Sequence, residues 1–220
     1  MIKTLLLVLY PAATWDRIVL AKRGCLTILL FFLLPLWVLA GVAEGYGLVH
    51  WGKPSGEFSH IKTYSNSQAL IFEILQLLLM LIMVLVSARL IKALGETFHG
   101  RHTFNQAFTV TAYGLGPFFV LRILDIFPGV SSWVYWVTWI IAMFLCVGTL
   151  YHGLPRVMQP DPPSAFGLFV VSSVLLTMIS GLVRFLTFWY LQGNFAKLDA
   201  FISKVVAHFP FLQRFDQIHF

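Results

Sequence analysis

Four ionisable residues stand inside or at the edge of long apolar stretches of this sequence: Glu73, Arg122, Asp125 and Arg184. A charge at the centre of an apolar helix in lipid costs at least about 2.5–3.5 kcal/mol on insertion scales. Charges placed there are expected either to pair with one another or to extend separately to the polar interface. We predict an ion-pair cluster in the outer leaflet, in which Glu73 pairs with Arg184 and Arg122 pairs with Asp125.

A few other residue patterns bear on catalytic and metal chemistry. His99 and His102 have helical spacing, but Glu96 is the single nearby carboxylate and a zinc site normally needs three or four protein ligands. The sequence contains no G-x-S-x-G elbow, H-E-x-x-H pair or phosphate-binding loop. We therefore expect no catalytic residues, no metal site and no cofactor, and we expect that the protein is not an enzyme.

The elements that carry these charges are apolar runs long enough to cross a bilayer. The 220-residue chain is 59% hydrophobic and 11% charged, with a mean hydropathy of +0.83. A helix rises about 1.5 Å per residue and the hydrocarbon core is about 30 Å thick. We predict an all-α polytopic membrane protein, with residues 1–220 forming a single membrane domain. The predicted spans are 25–43, 69–93, 104–124, 131–151 and 165–191.

Both ends of the chain carry weaker apolar patterns. Residues 1–24 predict a short interfacial helix that begins at Pro11 and places Trp15 at the level of the lipid headgroups. Their apolar stretch is short for a signal peptide, so we expect the N-terminus to remain uncleaved. Residues 193–220 have the spacing of an amphipathic helix lying on the membrane.

The distribution of basic residues predicts the orientation. If the N-terminus lies in the cytoplasm, the inner segments carry eight lysines and arginines and the outer segments carry five. An odd number of spans then places the C-terminus outside. The formal net charge of +6 is explained by this topology, so we do not expect nucleic-acid binding. We expect the cell membrane as the location, with the inner membrane of a bacterium as the specific case.

Two spans show polar or small residues along one helix face. On the second span they are Glu73, Gln76, Met80, Met83 and Ser87. On the fifth span they are Ser173, Thr177, Gly181 and Arg184. Such lines indicate helix packing, because small residues permit close approach and hydroxyl groups can bond across helices. A polar permeation path would need the same residues, so that interpretation stays open.

The third predicted span carries a recognisable pattern. Residues 100–117 contain a glycine, then Phe104-x-x-Ala107 at the helix entry, then Tyr113-x-x-x-Pro117. This order resembles the Yip family of membrane proteins, named for interaction with Ypt/Rab GTPases. Pro11-x-x-x-Trp15 also looks like the short helix before the family's first span, and Gly153-Leu154 with its proline-bearing connector looks like the segment between the fourth and fifth spans. The resemblance implies five spans.

The same residues carry a physical prediction. Gly114 and Gly116 allow a neighbouring helix to approach, and Pro117 frees a backbone carbonyl near Tyr113 that needs a partner such as a hydroxyl. We therefore predict a kink between Gly114 and Pro117. Tyr113 lies near the predicted bilayer centre, so its hydroxyl should find a hydrogen bond.

The resemblance also sets the functional expectation. Family members in eukaryotic secretory traffic carry a long polar segment before the first span, whereas 24 residues precede it here. This points to the short, bacterial-type branch, and Rab-type GTPase binding is not carried over. We expect a non-enzymatic protein that scaffolds or organises membrane complexes or membrane shape, with lipids and other membrane proteins or a second copy as partners.

The alternative function is a small-solute or ion transporter or channel that uses the polar faces of the second, third and fifth spans. That alternative predicts a water-filled cavity that reaches the midplane of the membrane. Its predicted lining comprises Gln76, Ser87, Thr109, Tyr113 and Thr177.

Overall fold

A computed structural model describes residues 2–55, 60–98, 102–127 and 132–208. Five of its helices are long and apolar enough to cross a membrane. Span one is Cys25–His50, span two Asn66–Thr97, span three Phe104–Ile126, span four Ser132–Met158 and span five Pro162–Leu191. The predicted all-α, multi-pass membrane fold is confirmed.

Shorter elements connect and flank the spans. Two helices, α1 (Ile2–Leu9) and α2 (Pro11–Ala21), precede span one. A two-stranded antiparallel ribbon follows span one, and one helix follows span five. In the ribbon, Lys53 lies opposite Lys62. The bounds are Lys53–Ser55 for β1, His60–Lys62 for β2 and Ala196–His208 for the C-terminal helix.

Several helices are longer than the sequence predicted. Span one continues to His50, beyond its predicted end at residue 43. Span two continues to Thr97, beyond its predicted end at residue 93. Span four continues through Pro155 to Met158, into the connector predicted at 152–164. Its apolar face also continues, because Leu150, Leu154 and Met158 are buried at intervals of four residues.

Spans two and three begin at reciprocal capping boxes. The Gln68 amide nitrogen donates to Ser65 Oγ, and the Ser65 amide nitrogen donates to Gln68 Oε1, both at 3.3 Å. Thr103 and Gln106 repeat this arrangement at span three, at 3.3 and 2.8 Å. Each box satisfies two backbone donors that a helix start would otherwise leave unpaired, which fixes where the span begins.

Span three is broken in the middle, as predicted. One α-helix ends at Gly114 and the next begins at Gly116, with Leu115 between them at φ −81° and ψ 0°. The Thr149 hydroxyl of span four donates to the Gly114 carbonyl at 3.1 Å. This bond supplies the hydroxyl partner that a proline-interrupted helix requires. The outer end of the span, Arg122–Ile126, tightens into a 3₁₀-helix.

The N-terminal segment docks inside the bundle and forms two helices, α1 and α2. Trp15 is fully buried and donates its indole N–H to the Thr149 carbonyl at 2.9 Å, so its ring packs against span four instead of facing lipid headgroups. The Thr4 methyl lies 3.0 Å from the position a Cβ on Gly116 would occupy. Because Gly116 is near the middle of the 23-residue span three, α1 reaches about the midplane of the membrane.

The helix after span five packs where spans one and five end and span two begins. Ile202 is buried in a small cluster with Leu48, Phe72 and Leu191. The predicted amphipathic tail over 193–220 is described as a helix for Ala196–His208. Its residues 209–220 lie outside the described residues, as do His99 of the histidine pair and residues 128–131 before span four.

The docking of Trp15 against span four gives a first prediction. A Cβ on Gly153 would lie 2.3 Å from two ring carbons of Trp15, whereas a Cβ on Gly148 of the same helix meets nothing within 4 Å. We expect Gly153→Ala to lower the free energy of unfolding by about 1–3 kcal/mol, the usual cost of overpacking. Chemical unfolding in mixed micelles, monitored by circular dichroism, measures this change.

Gly148→Ala is the matched control, and it should be neutral or slightly stabilising because alanine is the better helix former. Equal destabilisation by both substitutions would contradict the tight contact between Trp15 and Gly153.

Candidate functional site

Charged side chains from three spans meet at the end of the bundle where spans one, three and five terminate. Glu44 lies six residues before the end of span one, and Arg184 lies seven residues before the end of span five. Arg122 and Asp125 belong to the 3₁₀-turn that ends span three. In a 3₁₀-helix, residues three apart are eclipsed, so these two side chains project from the same side of the turn.

The contacts form a chain of ion pairs. Arg122 Nη2 donates to Glu44 Oε2, and Arg122 Nε lies 3.7 Å from Asp125 Oδ2. Arg184 binds the same Asp125 carboxylate with two donors, Nη1 at 2.5 Å and Nη2 at 2.8 Å. Bidentate arginine–carboxylate pairing of this kind is the stronger form of the interaction. Asp125 is therefore the shared partner of both arginines.

These four residues are buried in the bundle, with 2% to 8% of the surface of each residue exposed. Glu44 and Arg184 lie about 9–10.5 Å of helical rise before the ends of their spans, whereas Asp125 lies one residue before the end of span three. A buried charge without a partner is costly in such a place, whereas a closely paired one is tolerated. The arrangement therefore acts as an ionic lock that joins spans one, three and five.

Tyr135 of span four connects that span to the lock. Arg184 Cζ lies 3.3 Å from the centre of the Tyr135 ring, and Arg184 Nη2 donates to the Tyr135 carbonyl at 3.1 Å. The Tyr135 hydroxyl in turn donates to the Arg184 carbonyl at 3.3 Å. A guanidinium over an aromatic face gains from the negative charge of the ring face. Span four is thus held by the same arginine.

Lys53 of the outer ribbon completes the group of cations. It is 7% exposed, and its Nζ lies 4.5 Å from the centre of the Tyr135 ring. Burial lowers the pKa of Lys53 to about 8, although the nearby carboxylates of Glu44 and Asp125 act in the opposite direction.

Glu73 of span two stands beside the lock without joining its ion pairs. Its Oε1 is buried without a hydrogen-bond partner among the described residues. Its Oε2 lies 2.9 Å from the position a Cβ on Gly41 would occupy, so glycine at position 41 makes room for this carboxyl group. With Glu73 included, the cluster contains three acidic and three basic side chains.

The structure confirms part of the predicted cluster. Arg122 and Asp125 do pair, with 3.7 Å between Arg122 Nε and Asp125 Oδ2, while the location of the pair in the outer leaflet stays a prediction. The predicted pairing of Glu73 with Arg184 is wrong, because Asp125 holds Arg184. The alternative expectation, in which each arginine extends separately to the polar interface, is also wrong, because both side chains are buried inside the bundle.

Sequence reasoning missed Glu44 and Lys53, which it assigned to an outer loop. A signal for Glu44 was available, because buried residues continue at helical intervals beyond the predicted end of span one. Those residues are Trp37, Ala40, Glu44 and Leu48. No comparable pattern marks Lys53, whose burial depends on the fold of the ribbon against span four.

The remaining predicted site residues lie at the break in span three and make packing contacts. Tyr113 is 1% exposed, and its ring centre lies 4.3 Å from that of Phe32. Tyr113 and Arg23 line the same cavity, and the hydrogen bond expected for the Tyr113 hydroxyl stays a prediction. A Cβ on Gly114 would lie 2.6 Å from Leu150, so this glycine permits the close approach of span four. Gly116 and Pro117 are likewise buried.

The polar residues that were predicted to line a permeation path lie in different parts of the bundle. Gln76 accepts a hydrogen bond from Thr187 Oγ1 at 3.0 Å and borders an apolar cavity of about 170 Å³. Thr109 and Tyr113 line another cavity, of about 350 Å³, at the inner end of span three. Ser87 is fully buried. Thr177 donates to the carbonyl four residues earlier on its own helix.

Metal chemistry finds little support in the part of the chain that the structure describes. Within it, no group of three or more His, Cys, Asp or Glu side chains is placed to hold a metal ion. His102 is 7% exposed and packs against the backbone of Gly95, and burial lowers the pKa of its imidazole.

Comparison with protein families finds one match. The family model described as Yip1 domain matches residues 5–185, which include all five spans except the last turns of span five. Comparison with the curated proteins and with the solved structures finds no match.

The ionic lock gives a second prediction. Glu44→Gln removes the charge that neutralises Arg122 and leaves a buried cation short of a partner. Loss of one member of a buried pair typically costs about 3–5 kcal/mol. We expect a loss of that size in the free energy of unfolding, measured by denaturant titration in mixed micelles.

Glu96→Gln provides the matched control, because Glu96 belongs to the exposed Lys92–Glu96 pair, with an N–O distance of 3.2 Å. Exposed helix pairs contribute about 0.3–0.5 kcal/mol, so this variant should unfold almost like the unmodified protein. Similar effects of the two substitutions would show that the Glu44–Arg122 contact contributes no more than a surface pair.

Burial of Lys53 gives a third prediction, on pH dependence. The folded protein releases the Lys53 proton near pH 8, whereas an unfolded lysine releases it near its ordinary pKa of 10.5. Between these values the unfolded state binds more protons, so the contribution of Lys53 to stability rises with pH. We expect the stability of the unmodified protein relative to Lys53→Met to increase from pH 8 to pH 10.5.

Lys62→Met is the control, because Lys62 lies opposite Lys53 in the ribbon and the substitution removes the same charge. A rise in relative stability of equal size against Lys62→Met would exclude Lys53 as its source.

Proposed function

Because this chain belongs to the Yip1 domain family, we propose that it is a non-enzymatic multi-pass membrane protein that organises membrane complexes or membrane shape. One observation carries the proposal. The polar residues that a transport path would need lie in separate packing contacts and in at least two separate cavities. Polar side chains used in this way specify how the helices fit together.

The connections at both faces of the bundle support the same proposal. At the outer side, the ionic lock joins spans one, three and five, and Arg184 also contacts span four. At the inner side, α2 is tied to span four by Trp15 and by an ion pair of 3.0 Å between Asp16 and Arg156. Alternating access requires one part of a transporter to move against another, and these cross-links oppose such motion.

A scaffold also needs surfaces that other molecules can contact. Large apolar side chains point away from the bundle on several spans, where lipid or a neighbouring protein would cover them. The most exposed include Trp133 at 78%, Phe31 at 76%, Phe166 at 70%, Met178 at 69% and Phe144 at 80%. We propose membrane lipids and other membrane proteins, or a second copy of this chain, as the partners. We propose neither Rab-type GTPases nor nucleic acid.

The orientation belongs to the same proposal. We place the N-terminus in the cytoplasm and the C-terminus outside, because the basic residues favour that arrangement. The ionic lock then lies in the outer half of the membrane and α2 lies at the inner face. The cell membrane is the proposed location, and the inner membrane of a bacterium stays a prediction of the sequence.

Solute flux in proteoliposomes tests the scaffold proposal against transport. We expect vesicles containing the protein to show the same fluxes of H⁺, Na⁺ and K⁺ as empty vesicles. Flux that Gln76→Leu or Thr177→Val abolishes would overturn the proposal and favour a transporter. Gly148→Ala is the control variant, since its added methyl group meets open space.

Site-specific photo-crosslinking in intact cells tests the organising role directly. A photoreactive aromatic residue would replace Phe31, Phe144 or Met178, which lie on three different spans. We expect at least one face to give discrete protein adducts and the others to give lipid adducts. Lipid adducts alone from all three faces would contradict a role in organising protein complexes.

A further inference from the structure

We propose that a basic cavity at the inner face of the bundle binds the phosphate group of an anionic phospholipid. The cavity lies between the end of α2 and the inner half of span three. This inference does not depend on the scaffold proposal, because a transporter or a scaffold could equally hold a lipid there.

The cavity has a volume of about 350 Å³, and seven of its eleven lining residues carry hydrogen-bonding or cationic groups, although most of its exposed lining surface is apolar. Lys22 and Arg23 line one side, and the opposite side is formed by span three, whose inner turns contribute Asn105 and Gln106. Tyr113 lies at the deepest part, nine residues beyond the start of span three, which corresponds to about 14 Å of helical rise. The cavity therefore extends from the interface well into the membrane.

A second cavity, of about 220 Å³, adjoins the first around Arg23. It shares Ile18, Arg23 and Tyr113 with the larger cavity and adds Arg17 as a third cation. Arg23 and Tyr113 both line each of the two cavities, so the Arg23 side chain borders both spaces. A phosphate group beside Arg23 could therefore accept hydrogen bonds from a guanidinium, the chemistry for which arginine is especially suited.

The charge balance of this region favours an anion. Three basic side chains line the two cavities, and no carboxylate is among the described residues that line them. The neighbouring Asp16 is engaged by Arg156 of span four at 3.0 Å. The outer cluster is different, since there each arginine is matched by a carboxylate. The inner cations thus leave positive charge for an external ligand to neutralise.

The backbone around Lys22 and Arg23 is fixed in place. Lys22 adopts φ 39°, in the left-handed region that a residue with a side chain rarely occupies. The side chain of Asn105 holds the segment that follows, because its Nδ2 donates to the Arg23 carbonyl at 3.1 Å and its Oδ1 accepts from Cys25 Sγ at 3.0 Å. Lys22 is the C-cap of α2, and the contacts of Asn105 hold the segment that follows it, so the positions of Lys22 and Arg23 beside the cavity are fixed by the backbone.

The position of the cavity favours a lipid over a soluble phosphate compound. Arg23 stands two residues before the start of span one, at the level of the headgroups. Leu20 and Leu26, on either side of the basic pair in sequence, are 80% and 68% exposed. In a bilayer such side chains contact acyl chains, so apolar and phosphate-binding surfaces occur together. Basic pockets between spans on the cytoplasmic side are known sites for acidic headgroups.

Lipid retention by the full chain tests this proposal. The protein would be placed in nanodiscs of phosphatidylcholine with a minor fraction of spin-labelled phosphatidylglycerol, and the immobilised fraction would be measured. We expect phosphatidylglycerol to be preferred over phosphatidylcholine. Arg23→Gln should weaken that preference about 10-fold, the effect of losing about 1.4 kcal/mol of binding. Tyr113→Phe should weaken it less, because only a hydroxyl is lost.

Arg89→Gln is the matched control, because it removes an exposed positive charge at the same face of the membrane from outside the cavity. We expect its lipid preference to stay within about twofold of the unmodified protein, since general surface attraction is weak and screened by salt. Equal losses from Arg23→Gln and Arg89→Gln would overturn the proposal. If Arg23→Gln does not fold, Lys22→Gln and Arg17→Gln, both exposed, replace it with the same expectation.

A competition arm distinguishes a lipid headgroup from a soluble phosphate source. Inorganic phosphate at 10 mM, added at constant ionic strength, should leave the immobilised fraction of phosphatidylglycerol unchanged. Full displacement of the lipid by inorganic phosphate would overturn the lipid assignment and indicate a soluble phosphate compound as the ligand. Absence of any preference over phosphatidylcholine would overturn the site itself.

Discussion

Charge that is removed from water must be neutralised by charge nearby, and this requirement shapes the outer half of the protein. Asp125 neutralises Arg184 and shares Arg122 with Glu44, so a single carboxylate links contributions from three spans. The 3₁₀-turn at the end of span three places Arg122 and Asp125 on one side. The glycine at position 41 provides space for the additional carboxyl group of Glu73. Backbone geometry, glycine placement and ion pairing thus follow from one electrostatic condition.

The inner half of the protein is built on a different principle. Trp15 fills the space above Gly153, and the break in span three admits α1 on one side and span four on the other. Here close packing and hydroxyl–carbonyl bonds hold the elements together, while basic side chains face open space. At one end of the bundle each buried arginine is paired with a carboxylate. At the other end the described residues that line the basic cavity include no carboxylate. This asymmetry agrees with the orientation that we propose, in which the basic face meets the cytoplasmic leaflet.

Sequence reasoning recovered the features that a local pattern encodes. The apolar runs gave five spans, Gly114 and Pro117 gave the break in span three, and a separation of three residues gave the pairing of Arg122 with Asp125. Partners far apart in the chain were harder to predict. Glu44 and Arg122 are 78 residues apart, and only the assembled bundle decides that they meet. Trp15 was assigned to the interface because its amphipathic character suits that place, but tertiary contact with Thr149 and Gly153 determined its position.

The contact between Trp15 and Thr149 has a consequence for biosynthesis, because these residues are separated by 134 positions. Translation at about 5–20 residues per second takes about 7–27 s to make the intervening chain. Throughout that interval Trp15 lacks its partner in span four, since the helix that carries Thr149 has not yet been made. The helix α2 therefore cannot complete its docking through Trp15 until span four has been inserted. The segment that carries Trp15 is thus made well before the contact that positions it can form.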